Sequence, residues 1–422
     1  MRVIQSFVVF LAILLAVSCS GPSKLSNVNL AYRYSSGLSF AFPSYHAIAM
    51  SGDSMKLLFE VSADELLFVN NDSLATASFS ISYIIYKDEE TKSVIDSGVT
   101  YYTHAKMEGN DGRVRGVFVF FAPDSSNHVM RVDFSDQNRR QSVTDFVYLD
   151  RTGIQPESKF MLVDVASNTP LIRNNNDREL AIRITHQGGG NPKPVYMRYF
   201  KGRYPIADPP FSDNPQKVLS YAADETYLVG PDEVDPIVLS APGIYHFQYD
   251  TLVSEGYSFF IFNEDFPRLT NISGLIESVR YLTTKEEFAH INSSKNIRAA
   301  IDEFWLSKAG NRERARELIK AYYTRVQTAN RLFSSYMEGW KTDRGLIYVI
   351  FGSPGTVYRS TDTETWLYSQ TTGQPTLSFV FEKKRNPFTP NDYMLRRSSY
   401  FDIPWYRAVE TWRDGRIYND SY

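Results

Sequence analysis

A short apolar N-terminal segment that ends at the only cysteine restricts most strongly how this chain can fold. Residues 3–17 are apolar except for Gln5 and Ser6, and Arg2 precedes them. A segment of that length is too short for a comfortable bilayer span and is typical of a signal peptide. Exported proteins of this size often carry disulfides, but Cys19 has no partner within the chain. The mature protein must therefore be stabilised without an internal disulfide.

The residues around Cys19 indicate lipid attachment. The order Leu15-Ala16-Val17-Ser18-Cys19 resembles a lipoprotein signal-peptidase site. This resemblance implies that residues 1–18 are removed as a signal peptide and that Cys19 carries acyl chains such as palmitate. Each buried methylene contributes about 0.8 kcal/mol to membrane binding, so several chains anchor a protein stably. An ordinary signal peptide followed by a chance cysteine is the alternative.

The segment after the cysteine bears on the location of the protein. Residues 19–26 form a polar tether, and position 20 is Ser rather than the Asp that resembles an inner-membrane retention signal. An acidic cluster resembling a surface-export signal is also absent from this segment. We therefore expect an outer-membrane lipoprotein, with the periplasmic face favoured over the cell surface.

The N-terminal half is predicted to be mainly β, as two β-sandwich-like domains over residues 27–152 and 157–266. Short runs rich in β-branched and aromatic residues alternate with turn signals such as Asn110-Asp111-Gly112. Short strands at this spacing favour antiparallel sandwiches. The predicted strands cover residues 55–61, 79–86, 98–102, 113–121, 128–134, 159–165, 179–185, 194–200, 245–250 and 257–262.

The composition changes after Pro267, and residues 270–415 are predicted to be α+β. Thr283 and Thr284, with Glu286 and Glu287 three residues on, form overlapping capping-box patterns. Asn311 is placed to cap a long helix that Gly339 would end. Further helices are predicted over 295–307 and 406–412. Strands are predicted over 346–351, 363–368 and 376–382.

One motif in this region carries a family resemblance. The run Gly339-Trp340-Lys341-Thr342-Asp343-Arg344-Gly345 is followed by an apolar stretch that ends in Phe351-Gly352-Ser353-Pro354. These residues, with Phe304-Trp305 upstream and Trp366-Leu367-Tyr368 downstream, resemble the GWxTD domain of Bacteroidota and other bacterial envelopes. The chain departs from the family at Gly355, where an Asp is usual. The resemblance implies an envelope protein and carries no biochemical activity.

The signature itself allows two interpretations. As a structural motif it would be a helix–turn–strand joint, in which Gly339 is a left-handed cap, Gly345 a tight turn and Trp340 an apolar plug. Thr342 and Asp343 would bond nearby amides, Gly352 and Pro354 would form the turn after the strand, and Arg344 would pair with a carboxylate. As a functional motif, Trp340, Asp343, Arg344 and Trp366 would line a partner or ligand groove.

The sequence contains no pattern that predicts a metal, a cofactor or a catalytic site. The six histidines lack metal-ligand spacing, and the glycines after His186 are not accompanied by a nucleophile motif. Residues 271–422 hold 22 Lys and Arg against 17 Asp and Glu, whereas the remainder holds 23 against 31. The basic excess would favour an acidic partner or lipid headgroups, or would belong to an ordinary solvated surface. Export argues against a nucleic-acid partner.

We therefore predict a lipid-anchored interaction or scaffold protein of the cell envelope, without enzyme activity. Its partners would be the membrane, through the N-terminal lipid, and an outer-membrane or envelope protein complex, as an accessory subunit for assembly or transport. The alternative is an envelope carbohydrate-binding protein or hydrolase. In that case exposed Trp340, Trp366 and Trp405 would stack on sugar rings.

Overall fold

The computed structural model describes most of the chain after the N-terminal segment. The described residues are 29–35, 41–50, 52–71, 74–88, 93–106, 112–123, 126–151, 160–186, 193–202, 204–214, 219–231, 235–254, 256–368 and 376–418. The predicted signal peptide, Cys19, the tether, Asn110-Asp111 and the glycines after His186 lie outside these residues.

The first β unit, residues 41–151, is antiparallel throughout. Its strands are β1 (Ser44–Ala49), β2 (Ser54–Ser62), β3 (Val69–Asn71), β4 (Leu74–Tyr86), β5 (Val94–Ala105), β6 (Arg113–Phe121), β7 (His128–Asp136) and β8 (Gln141–Leu149). One sheet has the order β1-β2-β6, and the other has the order β3-β4-β7-β8 with β5 on β4. Alternate residues of both sheets, among them Phe59, Phe79 and Phe134, point into one core, as expected for two half-buried sheets.

The second β unit, residues 160–261, also pairs two sheets over a core that includes Phe160, Phe247 and Phe259. Its strands are β9 (Phe160–Asp164), β10 (Thr169–Pro170), β11 (Asn175–Asn176), β12 (Leu180–His186), β13 (Val195–Phe200), β14 (Glu225–Val229), β15 (Ile237–Leu239), β16 (Gly243–Gln248) and β17 (Tyr257–Ile261). The sheet orders are β10-β9-β12-β15 and β11-β17-β16-β13-β14. The short β11–β17 pair is parallel.

The α+β region, residues 272–413, packs helices on a four-stranded antiparallel sheet of order β18-β19-β20-β21. The helices are α1 (Ile272–Ser278), α2 (Lys285–Ser293), α3 (Ile297–Ala309), α4 (Arg312–Phe333), α5 (Asp343–Phe351) and α6 (Asp402–Arg413). The strands are β18 (Thr356–Arg359), β19 (Thr363–Tyr368), β20 (Leu377–Lys383) and β21 (Tyr393–Leu395). All five tryptophans of the chain are buried in this region.

The predicted fold class, a mainly β N-terminal half followed by an α+β region, is confirmed. Two local predictions in the α+β region are also confirmed. Thr284 and Glu287 form a capping box, because each side chain bonds the other residue's backbone amide. Asn311 caps α4 by accepting a hydrogen bond from the amide of Arg314.

The strand predicted over residues 346–351 is wrong, because these residues belong to helix α5. A continuous apolar run has no periodicity that separates a buried strand from a buried helix. Thr342 favours the helix locally, since its side chain accepts a hydrogen bond from the amide of Gly345 and so caps a helix. Residues 346–351 of the helix are buried on every side, which explains why all six are apolar.

The predicted end of the long helix at Gly339 is also wrong. Helix α4 stops at Phe333, and the extended backbone of Ser334 ends it. Gly339 instead opens a short 3-10 turn, Gly339–Lys341, that leads directly into α5. The signature is therefore a helix–turn–helix joint, in place of the predicted helix–turn–strand joint.

Two histidines, the buried His246 and the half-buried His46, predict how the stability of the fold depends on pH. Burial lowers the pKa of His246, and separately that of His46, from 6.5 to about 4. In the unfolded chain these histidines are protonated as the pH falls below 6.5, whereas in the folded chain they stay neutral down to about pH 4. The contribution of the neutral histidines to the stability is therefore complete above pH 6.5 and is lost as the pH falls from 6.5 to about 4. We expect thermal unfolding temperatures to drop across this window. The unfolding temperature of a His246→Gln variant should drop less over the same pH range. An equal drop in the variant would contradict the role of His246 in this pH dependence.

Candidate functional site

The two outer glycines of the signature permit a close approach between backbones. A Cβ built on Gly339 would overlap the carbonyl of Ala329 in α4 and lie 2.8 Å from the amide nitrogen of Ser334. A Cβ on Gly345 would overlap the carbonyl of Gly339 and lie 2.8 Å from the Cα of Trp340. Neither glycine is needed for a positive φ, so the predicted left-handed cap at Gly339 is replaced by a packing requirement.

The middle of the signature closes this joint. Trp340 is fully buried, and its amide donates to Asn330 Oδ1 at 3.2 Å. Thr342 Oγ1 donates to the Gly339 carbonyl at 2.7 Å while it caps α5. The predicted roles of Trp340 as an apolar plug and of Thr342 as a local hydrogen-bonding residue agree with these contacts.

Asp343 links the start of α5 to the end of the sheet. Its Oδ2 accepts the amide of Leu395 at 2.7 Å, and Arg397 Nη2 donates to its Oδ1 at 2.5 Å. The side chain of Asp343 is only 10% exposed. A carboxylate in the first turn of a helix also interacts favourably with the helix dipole. Asp343 therefore holds α5 and β21 together.

Arg344 and Glu364 form a buried ion pair between α5 and β19. Arg344 Nη1 lies 3.5 Å from Glu364 Oε2, and the side chains are 2% and 0% exposed. Arg359 Nη2 approaches the same oxygen at 2.6 Å, so one carboxylate stands between two guanidinium groups. The ring of Tyr393 lies 4.0 Å from the Arg344 guanidinium carbon.

Two neutral donors complete the shell of the carboxylate. Tyr34 Oη donates to Glu364 Oε1 at 2.8 Å, and Trp366 Nε1 donates to the same atom at 2.7 Å. Although burial opposes ionisation, the neighbouring Arg359 and Arg344 charges outweigh it and lower the pKa of Glu364 to about 2. Burial raises the pKa of Tyr34 to about 12. We name Tyr34, Arg344, Arg359, Glu364 and Trp366 the signature cluster.

A family model for the GWxTD domain matches residues 243–414. The chain contains a GWxTD domain. The match begins at Gly243, so it includes β16 and β17 of the second β unit in addition to the α+β region, whereas the sequence resemblance began at residue 270. No curated protein matches the chain.

The GWxTD signature is an interior structure in this protein. Trp340, Arg344 and Trp366 are at most 2% exposed, and the contacts of Asp343 are made within the domain. The structure therefore brings Arg344 and Trp366 together around Glu364, but it does not open the four side chains onto a groove. Trp405 is 4% exposed. The prediction that Trp340, Trp366 and Trp405 are exposed for sugar stacking is wrong, because these rings form the core.

The protonation states of the signature cluster also favour a structural role. Near neutral pH the Glu364 carboxylate is charged and the Tyr34 hydroxyl is neutral, since their pKa values lie far from 7. A general acid or base works best with a pKa near the working pH. The cluster therefore has the properties of a buried electrostatic clamp that holds α5, β18 and β19 together.

Sequence reasoning missed Glu364, Arg359 and Tyr34. The sequence pattern could have indicated Glu364, since Glu364, Trp366 and Tyr368 alternate along β19 and so share one face of the strand. A carboxylate on an apolar face requires a cationic partner. Nothing in the local sequence indicated Tyr34, which is separated from Glu364 by 330 residues.

Outside the signature, the described residues offer little that resembles a ligand site. A small cavity of about 20 Å³ in the second β unit, with room for about one water molecule, is lined by residues that include Arg183, His186, Val195, Val229 and Asp235. Within the described ranges, no three His, Cys, Asp or Glu side chains are grouped so that they could hold a metal ion. No helix in the part of the chain that the structure describes has the length and hydropathy of a membrane span.

Proposed function

We propose that this protein is a lipid-anchored interaction protein of the cell envelope, held at the periplasmic face of the outer membrane through Cys19. Its role would be that of an accessory subunit in an envelope protein complex. The N-terminal sequence supports the anchor, and the GWxTD domain is consistent with an envelope protein. The observation that carries the binding role is an exposed apolar surface on the first β unit.

This surface, the β5–β6 patch, consists of outward-facing side chains on two neighbouring strands. Its members are Val99, Tyr101, Val117, Val119 and Phe121, and each is between 48% and 73% exposed. On both strands the alternate residues point inward, since Phe118 and Phe120 on β6 are buried and Tyr102 on β5 packs on Phe59.

The two halves of the patch adjoin each other because side chains bridge β5 and β6. The amide of Phe121 donates to Asp96 Oδ2 at 3.0 Å, and Tyr102 Oη donates to the carbonyl of Val117 at 3.4 Å. These contacts place the strands side by side and antiparallel, although β5 pairs with β4 and β6 pairs with β2. The outward faces of the two strands therefore form one surface.

The chemistry of the patch fits a protein partner with an apolar contact surface. The five side chains carry no charge, and two are aromatic. Interface cores are enriched in aromatic residues and depleted in charged ones, and large exposed apolar patches on soluble domains commonly mark binding sites. When a partner covers this surface, the removal of apolar area from water favours binding by about 25 cal/mol per Å².

The test is recovery of a partner from cells. The full chain is crosslinked in intact cells, solubilised in mild detergent and purified, and the retained proteins are identified by mass spectrometry. Val119→Lys places a charge in the centre of the patch, and we expect it to reduce recovery of the dominant partner about tenfold, which corresponds to about 1.4 kcal/mol of binding free energy. The variant must keep the thermal unfolding temperature of the unchanged chain.

Leu252→Lys is the matched control, because Leu252 is 92% exposed at the turn between β16 and β17. It adds the same charge outside the patch and should leave recovery unchanged. Equal losses from both variants, or recovery of the unchanged chain without any partner, would contradict the proposed role. A crosslink to a second copy of the chain would identify self-association instead. Separately, mass spectrometry of the membrane-bound protein should show an N-terminal peptide that begins at an acylated Cys19.

The alternative, a carbohydrate-binding protein or hydrolase, has no comparable support. It depended on exposed tryptophans, and the three candidate rings are buried. For this reason the interaction role is the one that we carry forward.

A further inference from the structure

The first described residues of the chain, 29–35, begin on the α+β region, before they contact the first β unit that follows them. The amide of Leu30 donates to the carbonyl of Val357 in β18 at 2.8 Å. The side chain of Asn29 accepts the amide of Val357 at 2.9 Å and donates to the carbonyl of Gly355 at 3.4 Å. The segment thus binds main-chain groups of β18 and of the turn before it, although these lie more than 300 residues away in the sequence.

The docked segment is part of the core. Leu30, Ala31 and Tyr34 are 4%, 8% and 3% exposed and belong to the same apolar cluster as the buried tryptophans. The carbonyl of Tyr34 accepts hydrogen bonds from Tyr348 Oη at 2.9 Å and from Ser353 Oγ at 2.7 Å. Since the hydroxyl of Tyr34 reaches Glu364, the segment is also built into the signature cluster.

The order of contacts along the segment gives it a direction. Asn29 and Leu30, the described residues closest in sequence to the lipid anchor, contact only β18 and the turn before it among the hydrogen bonds of the structure. Contact with the first β unit comes later, where Arg33 pairs with Asp145 of β8. Among the described residues, the chain therefore contacts the α+β region before it contacts either β unit.

Chain length then limits the distance from the membrane. Nine residues lie between Cys19 and Asn29, so ten steps along the chain join them. A fully extended chain spans at most about 3.5 Å per step, or about 35 Å in all. If Cys19 is lipidated, as the proposed function requires, Asn29 and the β18 edge lie within that distance of the lipid. That reach is comparable to the width of one domain of this size.

The charge distribution of the chain agrees with this placement. Residues 271–422 carry a net charge of +5, and the remainder carries −8, from the counts of basic and acidic residues. Anionic lipid headgroups attract nearby Lys and Arg side chains, by about 1 kcal/mol for each one at the surface. The acidic remainder is repelled by the same headgroups.

From the docked segment, the short tether and the charge asymmetry, we infer that the α+β region of the GWxTD domain faces the membrane. The partner of this surface is a layer of anionic lipid headgroups beside the β18 edge. The two β units, with the β5–β6 patch, are then presented away from the lipid to protein partners. This inference rests on the lipid anchor of the proposed function.

The test attaches the mature chain to vesicles chemically, so that it does not depend on acylation in cells. Cys19, the only cysteine, is coupled to a maleimide lipid in vesicles of phosphatidylcholine and phosphatidylglycerol that carry a headgroup quencher. A fluorescent non-canonical residue replaces Tyr358 on β18, Tyr101 on β5 or Leu228 on β14, which are 41%, 73% and 60% exposed. We expect quenching at position 358 to exceed that at the other two by about threefold, since quenching requires approach to the headgroups within the reach of the tether.

A lengthened tether is the matched control. Inserting about twenty Gly and Ser residues after Lys24 extends the reach but leaves the docked segment intact, so the unfolding temperature should not change. Quenching at position 358 should then fall towards that at the other positions. Equal quenching at all three positions with the natural tether, or stronger quenching at position 101 or 228, would overturn the inference. An N-terminal peptide without acyl chains on Cys19, from protein made in cells, would instead count against the proposed function alone.

Discussion

Replacing Gly345 by alanine is expected to unfold the α+β region. The added Cβ would overlap the carbonyl of Gly339 and lie 2.7 Å from its carbonyl carbon. Both obstacles are backbone atoms of the 3-10 turn that carries the buried Trp340, so no flexible side chain can move aside. We expect a destabilisation of more than about 4 kcal/mol, at the upper end for single substitutions. Tryptophan fluorescence during urea unfolding reports this region, because all five tryptophans lie within it.

Gly355→Ala is the control for this experiment. Gly355 follows the same motif, but the nearest atom to an added Cβ is the Leu367 carbonyl oxygen at 3.7 Å, which is an ordinary contact. The control should therefore unfold at nearly the same urea concentration as the unchanged chain. If Gly345→Ala behaved like Gly355→Ala, the close approach of the signature backbones would not be a condition of the fold.

Replacing Glu364 by alanine is expected to be nearly as damaging. The carboxylate is completely buried between Arg359 and Arg344, and its removal leaves two guanidinium groups without their counter-charge. Breaking a buried ion pair by removing one partner costs about 3–5 kcal/mol. The low pKa of Glu364, about 2, has the same origin, and its contribution is present above pH 4.5 and is lost as the pH falls towards 2.

Glu382→Ala is the matched control for Glu364→Ala. Glu382 also pairs with two basic side chains, Lys384 and Arg396, but its side chain is 37% exposed. Water screens such surface pairs, so we expect little change in the urea midpoint. If the two alanine variants were equally stable, burial of the Glu364 pair would not account for the strength of the clamp. Glu364→Gln should remain destabilised, since it restores the shape but not the charge.

The β strands show how far local pattern was sufficient. The run over residues 113–121 was predicted with the same bounds as β6, because its alternating residues place one face in a core and the other in solvent. The caps of α2 and α4 were also local, since each depends on a side chain and an amide three residues apart. Neighbouring residues determine such short-range geometry.

The signature joint shows where local pattern failed. Residues 346–351 are β-branched or aromatic enough to suggest a strand, and only the surrounding helices and sheet make a buried helix the better solution. The glycines of the signature were read as turn formers, whereas their function is to let α4, the 3-10 turn and α5 approach each other. Close backbone packing depends on three elements at once, and no window of sequence contains all of them.

The sequence by itself determined the order of the parts: an apolar N-terminal segment that ends at the only cysteine, a β-rich half, and an α+β region with the GWxTD signature. Periodicity, capping and a short motif carry this information because each acts over a few neighbouring residues. Tertiary structure alone decided that Glu364 neutralises Arg344, and that Tyr34, which is distant in sequence, donates a hydrogen bond to Glu364. Those contacts are selected by burial, since charges and hydroxyl groups removed from water must find one another wherever they lie in the sequence.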